Sequence, residues 1–151
     1  EAAGGLYSNF TGDGLMAIFG LGGIGDRGAR SALKCVVEMF ERLDRFNQRL
    51  AKGFERAIDV GVGVHSGLAI VGRMGPPKAP ILTALGDTVN TASRLESLSK
   101  ELSTPIVVSA DTLGLAGVRV KVLMREVQLR GRHTMLRVAT LDGEGLRRLL
   151  A

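Results

Sequence analysis

The stretch IDVGVGVHSGLAIVG, residues 58–72, alternates without a break. Val60, Val62 and Val64 fall on one face of an extended chain, and Gly61, Gly63 and His65 fall on the other. A period of two belongs to a strand. A face of glycines lets a helix or a partner chain approach the backbone closely. We read the stretch as a hairpin of two central strands turning near Ser66–Gly67.

Upstream of it the period changes. Leu33, Val36, Val37, Phe40, Leu43 and Leu50 recur at steps of three and four, which predicts one amphipathic helix from Asp26 to near Gly53. Before that helix, residues 4–10 and 14–19 read as two short strands with Thr11-Gly12-Asp13 at the turn. GLGGIG, residues 20–25, joins them to the helix. Gly20, Gly22 and Gly25 match the spacing of a dinucleotide-binding loop. The preceding strand, however, is the second arm of a hairpin. The acidic partner expected about 20 residues on would fall inside the helix, near Asp44, so we read a plain strand-to-helix loop.

Downstream, GPPKAP (75–80) is a loop and GDTVNTASRLESLSKEL (86–102) a second long helix. In that helix Asp87 is the expected N-cap, Glu96 and Lys100 pair four apart, and Pro105 follows the exit. PIVVS is a strand, ADTLGLA a short helix, and residues 118–129 and 134–141 a last pair of strands. Residues 142–151 read as a tail or the start of a linker helix. The resulting order, ββ-α-ββ-α-β-α-ββ, is an α+β sandwich with helices against a largely antiparallel sheet.

Composition narrows the function. With 151 residues the chain is one domain with a real core. No apolar run reaches the roughly 18–20 residues that span a bilayer. The chain opens on Glu1 rather than Met, so it reads as a piece of something longer, and targeting or membrane segments upstream stay open. Cys35 is the single cysteine, which excludes an internal disulfide and a cysteine zinc site. It sits in the helical apolar stripe as a small core residue. The net charge of +5 suits a polyanionic ligand. Aromatics are only 4% of the chain, too few for the stacking platforms of a nucleic-acid binder, which sets that function aside.

The strongest local signal is ALGDTVNTASRLESL, residues 84–98. On a helix from Asp87, Asn90 and Arg94 lie four apart on one face. An amide and a guanidinium so placed can orient a sugar and neutralise a developing phosphate charge. The spacing by itself favours an ordinary polar helix face. His65, beside glycines on a strand, reads as a hydrogen-bonded structural residue, and His133 as an exposed turn residue. No histidine or cysteine cluster points to a transition metal.

Three segments together, FTGDGLMAIFG, VGVGVHSGLAIVGRMG and LGDTVNTASRLESLS, resemble in order and spacing the catalytic domain of class III adenylate and guanylate cyclases. The likeness runs to LRGRHTMLRVATL near the end. The resemblance implies a ferredoxin-like core, a head-to-tail homodimer with active sites shared between chains, and a cytoplasmic domain without membrane contact. It also implies a reaction, attack of a nucleotide 3′-hydroxyl on its own α-phosphate with loss of pyrophosphate, assisted by two Mg2+ or Mn2+ ions. By the same resemblance Asp13 is one of two metal-holding aspartates, Asn90 positions the ribose, and Arg94 stabilises the transition state. Thr83 falls where adenine is read, and Arg130 stands where a lysine contacts the triphosphate.

Residues 1–142 would then be the catalytic domain without its first strand and helix, and 143–151 a C-terminal tail. The family's other aspartate lies upstream of this hairpin, so residues 1–151 alone are expected to be inactive. Asn9 occupies the position of the family's purine-reading lysine. It offers both a donor and an acceptor to a purine edge. The lead into the Gly86–Asp87 pair carries Lys78 and Leu82 in place of the usual arginine and tyrosine. The absence of glutamate at position 9, together with Thr83, favours ATP. The alternatives are a guanylate cyclase and a catalytically degenerate module that binds nucleotide or a partner chain.

Overall fold

The computed structural model describes residues 5–21, 25–53, 56–119, 121–130 and 134–151. Its elements run β1 (Leu6–Thr11), β2 (Gly14–Ile18), α1 (Gly25–Leu50), β3 (Val62–Val64), β4 (Ile70–Met74) and β5 (Ile81–Leu85). They continue with α2 (Asp87–Glu101), β6 (Ile106–Ser109), α3 (Ala110–Leu115), β7 (Met124–Val127), β8 (Leu136–Leu141) and α4 (Gly143–Leu150). The centre is a four-stranded sheet in the order β3-β6-β8-β7, parallel between β3 and β6 and antiparallel elsewhere. Two antiparallel hairpins, β1–β2 and β4–β5, stand beside it. This is the α+β class that the pattern predicted.

Period-two alternation sorts the core into two layers. On β6, Ile106 and Val108 join Ala29, Leu33 and Phe40 of α1, together with Leu113, Ala116, Ala139 and Leu146. Val107, between them, faces the other way and packs with Leu95 of α2, Leu129, Leu136 and Val138. Ala29, Leu33 and Phe40 are four and seven residues apart, so one stripe of α1 meets the sheet.

The central pairing differs from the sequence reading. Residues 58–72 do not fold back on themselves. β3 pairs in parallel with β6, and β4 pairs with β5, from Ile70 opposite Leu85 to Met74 opposite Ile81. The prolines of GPPKAP close that second hairpin. β6 is buried at all four positions, so it lies inside the sheet, covered on both faces and paired on both edges, by β3 and β8. Such a partner is remote in sequence, so a local period cannot reveal it. The glycine face behaves as expected, and its neighbour is α2. A side chain on Gly63 would run into Ala92 O, Glu96 N and Leu95 C, all backbone atoms of that helix.

Two further expectations change. The cap of α2 is Gly86, not Asp87, which is the first helical residue. A single residue joins β5 to α2, and its φ of 135° is open to glycine and hostile to a side chain. The expected tail at 143–151 contains α4. Asp142 caps it, accepting from the Gly145 N–H at 2.6 Å, and Leu146 is fully buried against the core. Arg30 of α1 reaches across to donate to the carbonyls of Ala116, at 3.2 Å, and Leu150, at 3.0 Å, which ends α3 and α4 on the same cation. His133 lies outside the described residues.

Candidate functional site

The β1–β2 hairpin turns on two residues. Thr11 pairs with Gly14, so Gly12 and Asp13 form the tip. Gly12 has φ 66° and open space around it, the positive first dihedral that a II′ hairpin turn requires. The tip thus leaves the Asp13 carboxylate exposed. Lower in the hairpin the register slips. Tyr7 faces Ala17 while Phe10 faces Leu15, so Ser8 and Asn9 together oppose Met16. Asn9 therefore sits in a bulge, an irregularity that strands use to re-aim a position. β1 lies against β5, which carries Thr83, half-buried opposite Gly72 of β4. The two positions expected to meet the base are thus on adjoining strands.

On α2 the buried stripe is Thr91, Leu95 and Ser99. Asn90 and Arg94 each precede a member of that stripe, so they line its border one above the other. Asn90 is exposed and Arg94 half-buried. The Gly61–Gly63 face sets the depth of the helix. Leu129 packs in the same cluster as Leu95. Arg130, which is exposed, and Arg94 are therefore the chain neighbours of two residues in one cluster. The structure joins Arg94 to Arg130 through that cluster and Asn9 to Thr83 through adjoining strands. It leaves Asp13 out on the hairpin tip.

His65 is structural, as expected. Its Nδ1 lies 2.8 Å from Ser109 Oγ, which is 3.0 Å from Thr112 Oγ1, and Thr112 donates to Ser66 Oγ at 3.0 Å. Sequence reasoning passed over Thr88, whose hydroxyl donates to Leu68 O at 2.6 Å. The signal was a hydroxyl in the first turn of a helix whose cap is glycine.

Among the described residues no group of three or more His, Cys, Asp or Glu side chains could hold a metal. Asp13 has the oxygen donor that Mg2+ and Mn2+ prefer and stands open to approach, but it supplies one carboxylate of such a site. A cleft of about 1020 Å³ opens at the far end of α2 near Ser99, Pro105 and Asp142, and none of the candidate residues lines it. Among the described residues no helix is long and apolar enough to cross a membrane.

The model of the adenylate and guanylate cyclase catalytic domain family matches residues 9–140. The chain belongs to that family. Among relatives of this cyclase domain, adenylate cyclase 1 of Rhizobium meliloti (strain 1021) is 31% identical over 140 residues, covering 92% of the chain and 21% of the relative. The chain thus spans about a fifth of that protein. Of solved structures, the guanylyl cyclase Cya2 is similar with a TM-score of 0.81 at 31% identity, over 92% of this chain and 70% of that one. The adenylyl cyclase CyaB from P. aeruginosa follows at 0.79 and 25%, over 93% and 74%. The cyclase fold is therefore shared with both an adenylyl and a guanylyl enzyme.

Proposed function

We propose that this cyclase domain converts ATP to 3′,5′-cyclic AMP and pyrophosphate in a signalling protein. The observation that carries the reading is the Asn90–Arg94 pair, one turn apart on a helix seated against a glycine-faced strand. Asn90 holds the ribose so that its 3′-hydroxyl is in line with the α-phosphate. Arg94 meets the charge that develops on the transferring phosphoryl group, where a fixed guanidinium gains more in the transition state than in the ground state. Thr83 and Asn9, on adjoining strands, offer hydrogen bonds to the purine edge. Arg130 keeps the positive charge of the family's lysine and adds a two-pronged donor for the triphosphate. Two divalent cations, when bound, supply activation of the hydroxyl and neutralisation of the triphosphate. Asp13 would hold them as one of two aspartates.

In this reading the domain works as a head-to-tail homodimer with sites shared between copies, on the cytoplasmic side. GTP is the second reading. It is favoured by 31% identity to a guanylyl cyclase, and asparagine at position 9 can pair with either purine edge. The test is product formation by the full-length protein with Mn2+ and either nucleotide. Cyclic AMP in excess, abolished by Asp13→Ala, is the expected result. Cyclic GMP in excess reverses the substrate assignment, and turnover that survives Asp13→Ala refutes the role of that carboxylate.

A further inference from the structure

α2 carries the two residues on which turnover depends, yet it starts without a capping side chain. Gly86 offers only its carbonyl, which accepts the N–H groups of Val89, at 3.2 Å, and Asn90, at 3.3 Å. A glycine cap supplies no side-chain acceptor to the N–H groups of the first turn. A side-chain restraint on this turn comes from elsewhere in the fold. Thr88 Oγ1 donates at 2.6 Å to Leu68 O, on the segment 65–69 that joins β3 to β4.

That segment is anchored at its start. Apolar burial does not hold it, since Leu68 is 97% exposed and Gly67 and Ala69 are exposed as well. Its start is held by hydroxyls. Ser66 accepts from Thr112, and His65 bonds Ser109, with Thr112 and Ser109 fully buried at the end of β6 and the start of α3. Gly67 makes the room for the contact, because a Cβ there would come within 2.6 Å of Thr88 Oγ1. The restraint therefore runs from the buried end of the central sheet through Ser66 and Leu68 to Thr88, two residues before Asn90.

We propose that Thr88 is a positioning residue: its hydroxyl ties the first turn of α2 to the anchored 65–69 segment and so aims Asn90 and Arg94 at the reacting centre. The inference rests on the cyclase reading. Thr88 itself touches no reacting atom. Valine keeps the shape and removes the donor, and the exposed segment lets water take up the freed Leu68 carbonyl. The loss should therefore fall on geometry rather than on folding.

The test is turnover by the full-length protein carrying Thr88→Val or Thr88→Ser, with Mn2+-ATP and Mn2+-GTP. For Thr88→Val the expected result is kcat lower by about 10- to 100-fold with KM within about threefold, the signature of a misaimed transition-state group. Thr88→Ser, which restores the donor, should return kcat to within about threefold of wild type. A Thr88→Val enzyme with unchanged kcat overturns the inference while leaving the cyclase reading intact. So does one whose KM and thermal stability collapse together and are not rescued by serine, because that is an ordinary packing defect. A wild-type protein that makes no cyclic nucleotide refutes the cyclase reading and takes the inference with it.

Discussion

Replacing Gly63 by alanine pushes one methyl group into the backbone of α2. The carbonyl carbon of Leu95 would stand 2.8 Å from that methyl, against 3.4 Å for the near edge of ordinary contact, and Ala92 O and Glu96 N would be closer still. The obstructing atoms are helix backbone, so no rotamer change relieves them. α2 must back away by at least about 0.6 Å, the difference of those two distances. Overpacking of this kind costs about 1–3 kcal/mol, partly offset by the roughly 0.5–1 kcal/mol that alanine gains over glycine in a strand. Catalysis should suffer more than stability. A displacement approaching 1 Å at a positioned group costs on the order of 10²-fold in rate, and Asn90 and Arg94 ride on the helix that moves.

The assay is kcat and the domain's melting temperature in full-length protein, beside two other glycine variants. At Gly61 the atom in the way is Ser99 Oγ, the end of a short side chain, so Gly61→Ala should be milder. At Gly114, in α3, a Cβ meets nothing within 4 Å, so Gly114→Ala should leave kcat unchanged and raise stability by up to about 1 kcal/mol. Wild-type kcat and melting temperature in Gly63→Ala would refute the claim that close seating on β3 sets the site.

Two further outcomes follow from the same structure. If Arg94 has the role proposed above, acting on charge present only in the transition state, Arg94→Ala should lower kcat by about 10²- to 10³-fold with little change in nucleotide affinity, read by steady-state kinetics beside equilibrium nucleotide binding. Leu146→Ala removes a fully buried side chain of α4 and should cost about 2–5 kcal/mol in denaturant unfolding while leaving kcat unchanged well below the transition. A smaller loss would mean that α4 is not part of the core.

Legibility followed the range of the interaction. The hairpin with Asp13 at its tip was readable because a two-residue turn between apolar runs is a local event, and Gly12 announces the positive φ it needs. α1 and α2 were readable from stripes of period 3.6. The α2 cap was misplaced by one residue. Both Gly86 and Asp87 are cap-like in composition, and only the direct junction with β5 shows that the glycine's backbone freedom is needed. Thr88 was invisible because its partner, Leu68, lies 20 residues upstream on a segment with no pattern of its own. The helix at 143–150 was short enough to pass for a tail, and what marks it as core is the burial of Leu146.

The sequence by itself determined the element types, the α+β class and the residue types ranged along GDTVNTASR, since propensity, period and motif are written within a few turns of chain. Tertiary structure alone decided that β3 joins β6 in parallel, that β4 turns to β5, and that the glycine face of β3 receives α2. Each of those is a competition among remote partners for the same apolar edge or backbone surface. The winner is set by burial summed over the whole domain, a quantity that no window of sequence contains.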